Sequence, residues 1–71
     1  MRYKENIKLN IEIINKLTGK DFVDKWCNGE CSVQERNGTT GSMPYAGWYR
    51  KPKEMYRFLE GVIVGLKMNE K

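Results

Sequence analysis

No histidine occurs among the 71 residues. Its absence removes the Ser-His-Asp and Cys-His arrangements of nucleophilic catalysis and the one side chain that titrates near neutral pH unaided. Cysteine is scarce: Cys27 and Cys31 alone cannot frame a disulfide scaffold or fill a four-ligand zinc site within one chain. A zinc site shared across a dimer is disfavoured by the C-x3-C spacing and the missing histidine, so no metal or other cofactor is expected. No apolar run approaches the ~18 residues that span a bilayer. The opening residues Met1-Arg2-Tyr3-Lys4-Glu5-Asn6 lead into Lys8, Asn10 and Glu12 rather than a signal-peptide apolar region, which makes the cytoplasm the expected location.

What is present is one small domain, residues 1–71, in the size range where a single core is marginal and a partner chain often adds stability. Its clearest segment runs from Pro52 to about Met68. Met55, Phe58, Leu59, Val62, Ile63 and Leu66 recur at the spacing of an amphipathic helix with one buried face. Pro52 suits its first turn, where a missing N–H costs nothing. Residues 4–18 carry two periods: Ile7, Leu9, Ile11 and Ile13 alternate as in a strand, while Ile7, Ile11, Ile14 and Thr18 mark one side of a helix. The length of the stretch and the closing Leu17-Thr18-Gly19 favour a helix, with Gly19 as its left-handed cap. The broad apolar arc from Ile7 round to Leu9 suggests a helix with two neighbours.

Between Lys20 and Arg36 the period falls to two, and Asn28-Gly29 is the dipeptide of a two-residue type I′ hairpin turn. That turn sets Cys27 opposite Glu30 and Trp26 opposite Cys31. Phe22, Trp26, Cys31 and Val33 then share the face on which helices can pack, while Cys27 and Cys31 point to opposite faces. Cys31 is expected to be buried and Cys27 exposed, with no disulfide between them. A second Asn-Gly pair, Asn37-Gly38, leads either into a short third strand through Ser42 or Tyr45 or into a surface loop rich in glycine. The expected fold is α+β: two helices on one face of a small antiparallel hairpin or three-stranded meander, in the order α-β-β-(β)-α.

Chemistry-bearing residues are few. Asp24 and Glu35 fall on the inward face of the hairpin, either at the edge of a pocket or at the rim of the sheet within reach of water or a lysine. Gly38-Thr39-Thr40-Gly41-Ser42 lacks the lysine and the strand–loop–helix setting of a P-loop. The formal net charge is +4, and Arg50, Lys51, Lys53 and Arg57 concentrate it around the start of the last helix. Interleaved with Trp48, Tyr49 and Tyr56, these cations are the strongest binding candidate, since aromatic rings and basic groups together suit stacking on bases and neutralisation of phosphates. The competing expectation is that Trp48 and Tyr49 pack beneath the helix while Arg50 and Lys53 stand in solvent. Gly61 and Gly65, four apart, would let either the first helix or a second copy approach closely, which makes them the expected oligomer interface of a homodimer.

Asn15-Lys16-Leu17-Thr18-Gly19-Lys20 at the first helix end, Asn28-Gly29 at the hairpin tip and Tyr56-Arg57-Phe58-Leu59-Glu60-Gly61 in the last helix resemble small phage and prophage reading frames of α-β-β-α layout. The resemblance implies no catalytic residues. It implies a non-enzymatic accessory protein that acts by binding a host or phage protein; the alternative is a nucleic-acid or nucleotide binder acting through residues 48–57.

Overall fold

The computed structural model describes residues 3–36 and 44–68. Helix α1 (Tyr3–Thr18) is followed by strands β1 (Phe22–Cys27) and β2 (Glu30–Glu35), a single 3-10 turn (Pro44–Gly47) and helix α2 (Pro52–Met68). α1 ends where the sequence predicts. Gly19 takes φ +72° and its N–H donates to the Asn15 carbonyl at 2.8 Å, the left-handed cap that a Cβ would strain.

The antiparallel hairpin has the expected register, with Cys27 opposite Glu30, Trp26 opposite Cys31, Asp24 opposite Val33 and Phe22 opposite Glu35. Asn28 and Gly29 hold φ of 51° and 79°, the paired positive values of a type I′ turn. A Gly29→Ala substitution forces a Cβ into that left-handed position. It is expected to cost about 1–2 kcal/mol, measured as a lower urea midpoint with an unchanged slope.

Both helices lie on one face of the hairpin. Ile7, Ile11 and Ile14 of α1 and Met55, Leu59 and Ile63 of α2 are buried in one core with Phe22, Cys31 and Val33. α1 packs on β1 and α2, and α2 also packs on β2. The rings of Tyr3 and Tyr56 meet at 5.8 Å between centroids, so the two helices begin at the same end of the molecule. The arc that α1 buries is narrower than its apolar sequence, because Leu9 and Ile13 face solvent.

After Arg36 the sequence allows a third strand or a surface loop. Tyr45 sits in the 3-10 turn, and residues 37–43, with the Asn37-Gly38 turn and the glycine-rich stretch, lie outside the described residues. Among the described residues, only Arg50 pairs with the free edge of β2. Its N–H donates to the Cys31 carbonyl at 2.9 Å and its carbonyl accepts from the Cys31 N–H at 2.8 Å. On the opposite face of β2 the buried Ser32 hydroxyl donates to the Gly47 carbonyl at 2.8 Å, tying the 3-10 turn to the sheet.

The two cysteines divide as expected: Cys27 exposed, Cys31 buried, both free thiols. Burial, reinforced by the negative charge of Asp24, pushes the Cys31 thiol up to about 11. A raised folded-state value means that the native state holds its proton longer than the unfolded chain does. The associated stability is therefore complete below pH 9 and is lost as pH rises from 9 towards 11. A Cys31→Ala variant should show a shallower loss of stability across that range, and in the wild type a thiol reagent should modify Cys27 rapidly and Cys31 only on unfolding.

Candidate binding surface

The Arg50–Cys31 bridge determines how the basic aromatic segment is displayed. By fixing the backbone of Arg50 to β2, it holds residues 45–50 along the edge of the sheet just before α2 starts. Four residues of 3-10 turn bring positions three apart onto one side. Tyr45 and Trp48 accordingly meet edge to face, 5.3 Å between centroids and 85° between planes, a favoured geometry for two aromatic quadrupoles.

Arg50 holds this pair from behind. Its Nη1 donates to the carbonyl of Tyr45 at 2.6 Å and to that of Trp48 at 3.2 Å, while its guanidinium lies 4.2 Å from the centre of the Phe58 ring. One side chain thus ties the 3-10 turn, the bridge to β2 and the second turn of α2 together. The rings themselves stay in water: Trp48 is 64% exposed, Tyr45 60% and Tyr49 46%. The expectation that Trp48 and Tyr49 pack beneath the helix while Arg50 and Lys53 stand in solvent therefore holds for Lys53 and is reversed for the other three. Arg50 is the packed residue because a guanidinium can satisfy carbonyls and stack on an aromatic ring at once.

The remaining predicted residues separate by helical position. Lys51, Lys53 and Arg57 are exposed, and Lys53 and Arg57, four apart, share one face of α2. Tyr56 is turned towards α1 and stacks on Tyr3, away from the Trp48 group. Gly61 and Gly65 are exposed, and a Cβ built at either meets nothing within 4 Å, so α1 is not the neighbour they admit. With Val64 and Met68 also exposed, this flank of α2 has no partner among the described residues.

Tyr45 and Phe58 belong to this surface although neither stands out as a binding residue in the sequence. The signal for Tyr45 was its spacing of three from Trp48 across Ala46-Gly47. Phe58 was absorbed into the core stripe of α2, which it joins only in part.

The Asp24 side chain, 14% exposed, accepts from Trp26 Nε1 at 2.6 Å and lies 3.7 Å from Lys8 Nζ, so its environment is that of a paired carboxylate within reach of a lysine. Among the described residues no cluster of three or more metal-ligating side chains occurs, and no helix is long and apolar enough to cross a membrane. No family model matches the chain, and neither a curated protein nor a solved structure shows recognisable similarity to it.

Proposed function

We propose that this is a non-enzymatic, cytoplasmic accessory protein of the phage type, and that it acts by docking its Tyr45–Trp48–Tyr49 surface onto another protein. The observation that carries this reading is Trp48: a ring left 64% exposed beside a second exposed ring, on a backbone whose carbonyl Arg50 holds. An aromatic side chain kept in water forgoes on the order of 1–2 kcal/mol of burial. Tyr, Trp and Arg are also the residues in which interface hot spots are richest. Lys51, Lys53 and Arg57 stand exposed just after the rings in the chain and in the first turns of α2, so the expected partner surface is an apolar pocket with carboxylates around it.

The nucleic-acid alternative is less well supported. Arg50 is engaged in the scaffold through Nη1 and its stack on Phe58, and the three exposed cations beside it make a small footprint for phosphate binding. A homodimer through Gly61 and Gly65 uses the adjoining flank of α2 and is one outcome of the same test.

The experiment is affinity capture with the wild-type chain and with Trp48→Ala, followed by titration of the purified captured protein. Loss of the binary interaction in the variant at unchanged Tm supports the reading. Anisotropy titrations with labelled single- and double-stranded oligonucleotides at two salt concentrations supply the contrary result. Micromolar binding that collapses with salt, and that is lost in a Lys51→Glu/Lys53→Glu variant, would replace the protein-binding reading with the nucleic-acid one. Mass measured against concentration reads self-association, and Gly61→Leu blocks it if the helix flank is its seat.

A further inference from the structure

The edge of β1 that faces away from β2 has an unusual arrangement. In a hairpin closed by a two-residue turn, alternate residues turn their backbone groups towards the partner strand and away from it. Here Cys27, Lys25 and Val23 face β2, while Trp26, Asp24 and Phe22 direct their N–H and C=O groups to the open side. The Phe22 pair is filled by a side chain of α1. The Phe22 N–H donates to Asn15 Oδ1 at 2.8 Å, and Asn15 Nδ2 donates to the Phe22 carbonyl at 3.1 Å. A primary amide bonded in this way occupies the place of one peptide group of a neighbouring strand. Two residues on, Asp24 and then Trp26 offer the next two pairs, and among the described residues neither finds a backbone partner there.

Beside this edge, between β1 and α1, runs an open groove with a volume of about 260 Å³. Ile11 and Phe22 contribute apolar wall, and Lys8, Glu12, Asp24 and Arg36 contribute charge. Three of these four are committed: Lys8 and Asp24 lie 3.7 Å apart, and Arg36 pairs with Asp21, which also lines the groove, at 2.6 Å. Glu12 is in no ion pair among the described residues.

We infer that the groove receives an extended segment of a partner protein, which adds to β1 as a further strand opposite Asp24 and Trp26. An apolar side chain of the segment rests against Ile11, and a lysine or arginine meets Glu12. Main-chain pairing on an exposed edge supplies affinity, and alternate side chains supply selectivity. A second copy of this chain is the competing occupant, and it would show itself as protection of Asp24 that rises with protein concentration.

The inference concerns the side of the molecule away from Trp48, so it stands or falls separately from the function proposed above, and a Trp48→Ala variant should leave it unchanged. The test is amide hydrogen exchange by NMR on the full chain. In the free protein the Asp24 and Trp26 amides should exchange rapidly while the Lys25 amide, bonded to β2, is protected. The probe is an N-acetylated, C-amidated heptapeptide alternating valine and lysine. On saturation it should slow Asp24 and Trp26 exchange by about tenfold or more. The same peptide N-methylated at alternate backbone positions keeps its side chains but loses its donors, and should bind about tenfold more weakly. Glu12→Lys should reverse the preference in favour of a valine–glutamate peptide. No slowing at millimolar peptide, or equal binding of the N-methylated peptide, would overturn the inference. Protection of Asp24 in the free protein would do the same, whether it is constant or rises with protein concentration.

Discussion

Replacing Asn10 with leucine is expected to raise the melting temperature. Asn10 is 7% exposed on α1, and its Nδ2 is buried without a hydrogen-bond partner among the described residues. It lies on the flank of the helix that also carries Tyr3, the residue that packs on Tyr56 of α2. A buried amide donor that finds no acceptor forfeits the hydration it had in the unfolded chain, a penalty of about 1–3 kcal/mol. Leucine has nearly the same shape and removes that penalty without opening a cavity. For a chain of this size a gain of 1 kcal/mol corresponds to roughly 4–8 °C, so differential scanning calorimetry should resolve a rise of about 5–15 °C. Asn10→Ala should gain less, because the cavity it leaves offsets part of the relief. An unchanged or lower Tm for the leucine variant would show that the amide is satisfied in solution. If the stabilised variant also binds its partner normally, the amide has no part in docking.

The second large effect separates binding from folding. Trp48→Ala should weaken the proposed protein interaction by about 30- to 1000-fold, the range of an aromatic hot spot worth about 2–4 kcal/mol. Because the ring is mostly solvated, Tm should move by no more than the few tenths of a kcal/mol typical of exposed positions. Arg50→Ala should behave differently. It releases two carbonyls and the Phe58 stack together, and is expected to lower stability by about 1–3 kcal/mol as well as binding. Arg50→Lys keeps the charge but not the planar fork, and should recover little of either. Isothermal titration and thermal unfolding on the same three variants distinguish a ring that binds from a residue that positions it. If Arg50→Lys is wild type in both measurements, the charge alone matters and the scaffold role is wrong.

The residues differ in how far their roles were legible in advance, and the reason is the range of the interactions that fix them. Gly19 and Asn28-Gly29 could be assigned because the positive φ values they adopt are local demands that few other residues meet. The turn then carried the register outward, so the burial of Cys31 and the exposure of Cys27 followed from alternation. The stripe from Met55 to Leu66 was legible for the same reason, since helical periodicity repeats one local geometry. Leu9 belongs to the apolar arc of α1 yet faces solvent: hydrophobicity states what a face can bury, and the positions of β1 and α2 decide how much of it they cover.

Arg50 is the sharpest case of a role decided at long range. Nothing between Trp48 and Lys53 distinguishes it from Lys51, and both read as cations of one basic segment. Its position is fixed by a backbone pairing with Cys31, nineteen residues earlier, and by Phe58, one face of a helix that begins after it. Asn15 is similar, a polar helix residue in sequence and a surrogate strand in the fold.

The sequence by itself determined two amphipathic helices, a hairpin of defined register, and a chain without the residues for histidine-based catalysis, since each depends on spacing, turn chemistry or composition. Only the tertiary structure decided which aromatics remain in water, which cation is spent on the scaffold, and which strand edge is left open. Those outcomes depend on how the helices settle across the hairpin, where contacts between distant residues compete for the same small core.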